Sequence, residues 1–174
     1  VTVAQGAGIG YAATADLSPR GLEAAAAQAL QWARLHARAG LFDARLSPRS
    51  DATIEYRTGV RVPWETWTVA DKLDLLHRAS AALKIGERIV DWSAWLGYRK
   101  VTQFLATSEG GRSLQVQEFL LPGLAAVANR GSQTQTRRGG GADWPGQGGL
   151  ERLDDVGFPA KADRLADEAM GLLD

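Results

Sequence analysis

The sequence predicts an α+β fold: an antiparallel sheet of about six strands with three main helices, at 19 to 39, 69 to 84 and 159 to 173, packed largely on one face. Three observations carry this. Helical periodicity is confined to those three stretches, two-residue alternation runs through most of the stretch from Arg88 to Arg138, and the two kinds of pattern are segregated along the chain rather than interleaved. Segregation argues against a doubly wound sheet.

The elements follow in order. Gly8 to Asp16 is small apart from Tyr11 and reads as a close-packed strand. Ser18-Pro19 supplies a capping hydroxyl and a proline at the first helical position, where a missing N–H costs nothing. Leu22, Ala26, Ala29, Ala33 and Ala37 then recur at helical spacing, and Gly40 is a stop signal. Leu41 to Val62 lacks sustained periodicity and reads as a long surface connection. Thr68-Val-Ala-Asp71 resembles a capping box, and Val69, Leu73, Leu76, Ser80 and Leu83 mark one face of a second helix. Strands are expected at 88 to 95 and 98 to 107, joined at Leu96-Gly97, then at 113 to 121, with Pro122-Gly123 as a break before 124 to 129. The last strand is Ser132 to Arg138. Gly139 to Gly149 holds six glycines in eleven residues and reads as a loop or flap. The closing helix has a stripe of Ala162, Leu165, Ala166, Ala169, Leu172 and Leu173, with Lys161, Asp163, Arg164 and Asp167 left in water.

Composition excludes several functions. Twenty basic and twenty acidic side chains cancel, so there is no long-range field for nucleic acid. Without cysteine there is no disulfide framework, thiolate nucleophile or Cys-ligated metal, which fits a cytoplasmic setting. No apolar run approaches a membrane span and no signal peptide is visible. Leu, Ile, Val and Phe number only 39 against 29 Ala, so the six Trp are expected to replace missing aliphatic mass. The chain opens on Val1 rather than Met, as a fragment or trimmed product would.

Catalytic signatures are sparse. His36 and His77 each lack a His or Glu three or four residues onward, so helix or surface packing explains them better than a metal. Ser108 stands in a turn without a G-x-S-x-G elbow. Gly6, Gly8 and Gly10 are not followed directly by a helix, as a dinucleotide loop would be, and tight strand packing explains them better. Asp71/Asp74 and Asp154/Asp155 read as helix-start charges. The one unusual element is the strand at 132 to 138. Ser132, Thr134, Thr136 and Arg138 alternate with Gln133, Gln135 and Arg137, so neither face is apolar. Such a strand is either a solvated edge or a place where an extended peptide pairs through its backbone, with Gln133, Gln135, Arg137 and Arg138 as candidate peptide-binding residues.

Gly10-Tyr-Ala-Ala-Thr-Ala-Asp-Leu-Ser18, Ala29-Leu-Gln-Trp-Ala-Arg34, the connection from Tyr56 to Trp64, Ser108-Glu109-Gly110, Arg138-Gly-Gly-Gly141 before Trp144, and Ala162-Asp-Arg-Leu-Ala-Asp-Glu-Ala169 occur in an order that resembles the N-terminal domain of the TldD/PmbA family, also described as modulators of DNA gyrase. The likeness spans most of the chain and leans to the TldD branch. It implies that residues 1 to 174 are a single domain, without its first elements, preceding a C-terminal metallopeptidase domain that carries zinc on an H-E-x-x-x-H motif. That motif is absent here, so no catalytic or metal residue maps onto this sequence and the chain alone is expected to hold no cofactor. The implied partners are that C-terminal domain, a TldD/PmbA-family subunit in a heterodimer or a second copy in a homodimer, and unfolded peptide substrates; neither nucleic acid nor membrane is implied. The competing expectation is a self-contained peptide-binding or adaptor module without catalytic activity. A stand-alone enzyme is weakest, because no set of acid, base and nucleophile can be assembled.

Overall fold

A computed structural model describes residues 1–38, 50–140 and 146–173, and its elements are of both kinds, as an α+β chain requires. Contacts divide the chain into two units: Val1–Ala52 with Thr107–Gly111, and Thr53–Ala106 with Arg112–Asp174. No helix among the described residues is long and apolar enough to cross a membrane.

In the first unit, β1 (Thr2–Gln5) and β2 (Gly8–Tyr11) form an antiparallel hairpin that carries α1 (Pro19–His36). The predicted strand to Asp16 therefore stops at Tyr11 and has a partner that was not foreseen. Ser18 Oγ accepts the Gly21 N–H at 3.2 Å, and Pro19 occupies the first turn. Ala25, Ala29 and Ala33 are buried, whereas Leu22, expected on that face, is exposed. The reason lies in the strand. A Cβ on Gly10 would stand 1.9 Å from the Ala29 carbonyl oxygen, and one on Gly8 would stand 1.9 Å from that of Ala33. Helix backbone and strand backbone are in direct contact, so only an alanine stripe fits, and Leu22 and Leu35 turn outward. The predicted stop at Gly40 lies outside the described residues, as do residues 41 to 49 of the predicted connection.

The second unit is built on β4 (Ile89–Ala106) and β5 (Arg112–Arg130), paired antiparallel from Ile89↔Ala128 to Ala106↔Arg112. β6 (Gln133–Gly140) pairs antiparallel with the second half of β5, and β3 (Thr53–Arg57) pairs parallel with its first half. The six strands thus form a two-stranded and a four-stranded sheet, and the latter is mixed, not one antiparallel sheet. β3 lies in the predicted surface connection. All five of its residues are exposed, and the alternation of Ile54 and Tyr56 with Thr53, Glu55 and Arg57 is too short to stand out in the sequence.

The two predicted breaks fall in mid-strand, opposite each other: Leu96 faces Pro122 and Gly97 faces Leu121. The Trp95 ring occupies the space above Gly123, where a Cβ would lie 1.9 Å from Cζ2. Pro122 is tolerated because β5 changes partner there. Leu120 N–H bonds to Gly146 O and Gly148 N–H to Glu118 O, whereas β6 begins to pair at Gly123↔Gly140. A residue without an N–H at that step removes no ladder bond. Of the predicted flap, Gly139 and Gly140 belong to β6, residues 146–149 line the sheet, and 141–145 lie outside the described residues.

α2 (Val69–Leu83), the short α3 (Arg152–Asp155) and α4 (Ala162–Gly171) contribute to one core with β5. The expectation of three main helices on one face of one sheet therefore fails, since α1 packs on β1 and β2. The capping box at Thr68 and Asp71 is present. In α2, Leu75, Ala79 and Leu83 are buried while Val69 and Leu73 are exposed. Two apolar series overlap in that helix, and docking selected the one with alanine at the closest approach. In α4, Ala162, Leu165, Ala166, Ala169 and Leu173 are buried as predicted, whereas Leu172, expected on the same stripe, is exposed. Trp64, Trp67 and Trp92 pack at the rim of this core, whereas Trp32 and Trp95 are exposed, so tryptophan replaces aliphatic mass only in part. Trp64 stacks parallel on Tyr98 at 4.9 Å beneath the Lys72 ammonium. Tyr98 donates to Glu118 Oε2 at 2.6 Å, and Lys100 pairs with the other carboxylate oxygen.

A buried carboxylate fastens the segment at 146–151 to the strand-helix connection. Glu151 accepts N–H bonds from Arg61 (3.2 Å), Val62 (2.8 Å) and Gly149 (3.0 Å). Burial is the largest single influence and works to raise its pKa. The N–H groups of Gly149, Val62, Arg61 and Glu151 itself together outweigh it and hold the pKa at about 2.

Two predictions follow from this packing. Gly10→Ala should destabilise the first unit by about 1–3 kcal/mol, the scale of an overpacked core, read as faster amide exchange confined to α1, β1 and β2. Uniform exchange rates would show that α1 tolerates the methyl. Glu151→Gln should lower stability at neutral pH by about 1–3 kcal/mol, the scale for unmaking charged hydrogen bonds. Because the folded pKa is depressed, that contribution is fully present above the unfolded value of 4.5 and fades as pH falls toward about 2. The melting-temperature gap between wild type and variant should close across that window.

Candidate functional site at the outer edge of the sheet

The pleat of β5 sets the geometry of β6. Its even-numbered residues from Val116 to Ala128 are buried or half-buried on the helix side of the sheet. Leu120 N–H points toward residue 146, whereas Asn129 N–H points to Arg88 on the β4 side. Even residues of β5 therefore turn their backbone groups toward β6, and odd residues turn them toward β4. In the β6 register, Gln133, Gln135 and Arg137 stand opposite Arg130, Ala128 and Ala126, while Thr134, Thr136 and Arg138 stand opposite Asn129, Val127 and Ala125. Gln133, Gln135 and Arg137 thus spend their backbone hydrogen bonds on β5. Thr134, Thr136 and Arg138 direct three N–H and three C=O groups to the outer edge. No other described strand pairs with β6.

Side chains sort by the same parity. Gln133, Gln135 and Arg137 share the helix face, and Arg138 starts from the opposite one. Gln133 is exposed near the β5–β6 turn and Gln135 is half-buried. Thr134 Oγ1, on the far face, accepts from Asn129 Nδ2 at 2.9 Å. Arg137 Nε donates to Glu168 Oε2 at 3.2 Å, and Arg164 Nε donates to Glu168 Oε1 at 3.0 Å. These two bonds, with that from Arg164 the stronger influence, hold the Glu168 carboxyl below the usual range for glutamate. The fork therefore remains charged at any pH where an ordinary glutamate is ionised.

Beside this fork lies an open cleft of about 290 Å3 lined by Arg137, Arg138, Gly139, Lys161, Arg164, Leu165 and Glu168. Arg137 and Arg138 project from opposite faces of the pleat, yet both reach it. The cleft consequently sits at the end of β6 where the two faces meet, at the edge itself. Among the described residues it gathers four cationic side chains and one carboxylate, in a chain whose total charge is zero.

The sequence singled out Gln133, Gln135, Arg137 and Arg138, and the fold brings the two arginines together at the cleft while the two glutamines lie further along the strand. Lys161, Arg164 and Glu168 were missed because they read as the wet face of a helix. Their signal was spacing: positions 161, 164 and 168 follow the three- and four-residue steps of one helical stripe. The other candidates keep structural roles. His36 Nδ1 lies 2.9 Å from Ile9 O and its ring stacks on Trp32. His77 is exposed on α2. Ser108 lies in the turn between β4 and β5, Asp71 caps α2, and the glycines at 8 and 10 admit α1. Among the described residues no group of three His, Asp or Glu side chains is placed to hold a metal ion. No protein-family model matches the chain, and no curated protein matches it.

Proposed function

We propose that this chain is the non-catalytic N-terminal domain of a TldD/PmbA-type zinc metallopeptidase, in which it presents unfolded peptides in extended form and contributes dimer contacts in the cytoplasm. The observation that carries the reading is the outer edge of β6. Three residues offer their N–H and C=O groups there, on a strand with no apolar side chain. An edge of this kind pairs with an extended chain through main-chain bonds and asks little of its side chains, which suits substrates that share disorder rather than sequence. The family likeness is supported by the placement of Ser108-Glu109-Gly110 at the tip of the long β4–β5 hairpin and by the alanine-striped α1. His36 and His77 do not fit a zinc site, so in this reading the metal belongs to the C-terminal domain and no residue of this chain touches it.

The test uses proline as an edge block. Thr136 turns its N–H outward, so Thr136→Pro removes a donor at the edge without removing a β5 ladder bond. The variant should keep its circular dichroism and lose binding of unstructured peptides, followed by fluorescence anisotropy. Gln135→Pro, whose N–H faces β5, should instead unfold the edge. Retained peptide binding in a folded Thr136→Pro would overturn the reading. Reading the coding sequence beyond Asp174 separates the peptidase domain, which is followed by H-E-x-x-x-H, from a self-contained adaptor, which is not.

A further inference from the structure

We infer that the cleft at the end of β6 selects, among extended peptides, those that carry a carboxylate: an acidic side chain or the chain's own C-terminus. The inference rests on the edge-pairing reading and adds to it a chemical preference. Among the described residues, Arg137, Arg138, Lys161, Arg164 and Glu168 converge on about 290 Å3. Among the described residues, three guanidiniums, those of Arg137, Arg138 and Arg164, meet at one carboxylate, and a chain with no net charge has no general excess to explain their meeting.

The fork at Glu168 prepares the site rather than neutralising it. Arg137 and Arg164 each give Glu168 their Nε–H, so the Nη groups of both guanidiniums lie outside those two bonds. A guanidinium held in place through Nε has lost part of its rotamer freedom before a ligand arrives, and its planar pair of donors matches a carboxylate. Leu165, buried but for 7% of its surface, contributes the apolar floor against which the methylene stem of an acidic side chain rests.

Size and place choose the ligand. The volume is at the small end for ligand sites, enough for one side chain or a chain terminus rather than a nucleotide. Because the cleft lies where the backbone of Arg138 turns outward, a strand added to β6 delivers every second side chain to the helix face beside it.

The experiment is an anisotropy titration of the 174-residue protein with labelled unstructured peptides of Ser, Thr and Gly that carry either Glu or Gln at the same positions, each with a free or amidated C-terminus. The Glu peptide should bind roughly tenfold more tightly than the Gln peptide, the scale of one charge-assisted pair, and the difference should shrink as salt rises. If the terminus is the ligand, amidation of the Gln peptide produces the loss instead. Lys161→Gln with Arg164→Gln should abolish the preference while leaving the affinity of the amidated Gln peptide and the circular dichroism intact. Equal affinity for all four peptides, or tight binding of inorganic phosphate with no preference for Glu, overturns the inference and leaves edge pairing standing. Failure of every peptide to bind overturns the edge-pairing reading itself.

Discussion

The pleat of one strand governs the larger unit. Along β5, consecutive residues alternate in both side-chain direction and hydrogen-bond direction, and every neighbour is positioned by that alternation. Its even residues face α2 and α4 and bond toward β3, residues 146–148 and β6, whereas its odd residues bond toward β4. A one-residue slip would expose Leu120, Leu124 and Ala126 together and would also turn the free backbone groups of β6 from the edge toward β5. The core and the candidate site are therefore two readings of the same register.

That dependence explains what the sequence disclosed. The capping box of α2, the serine-proline start of α1 and the turns after Ala106 and Arg130 are local, each fixed by a few adjacent residues, and each was legible. So was the polar character of β6. The strand breaks were misread because glycine and proline in mid-strand answer a partner far away: Gly123 makes room for Trp95, and Pro122 stands where β5 exchanges one neighbour for another. β3 was invisible for a related reason. Its alternation of Ile54 and Tyr56 with polar neighbours covers only five residues, and what makes it a strand is the distant edge of β5 that it joins.

The cleft was half legible. Arg137 and Arg138 stood out as members of a strand with no apolar face, but a charge pattern on α4 gains meaning only when the helix is laid across β6. Sequence reading treats Lys161 and Arg164 as solvated because helices commonly wear charge on their wet side. Tertiary placement converts part of that wet side into the wall of a cavity, and Glu168 becomes the bracket that orients two guanidiniums from different elements.

The sharing of one side of β5 among three separate segments has a kinetic consequence. The β4–β5 hairpin closes through the short turn after Ala106, and β6 folds back through two residues at Gly131 and Ser132, so both cost little loop entropy. β3 must instead find Arg112–Val116 from more than fifty residues upstream, in parallel orientation. Contacts of such sequence separation are slow to form, so the three-stranded meander is the natural nucleus and β3 a late addition to it. During that interval the first half of β5 is itself an exposed edge, bearing Leu114 and Val116, and the short β3 that finally pairs with it acts as a cap on a surface otherwise open to intermolecular pairing.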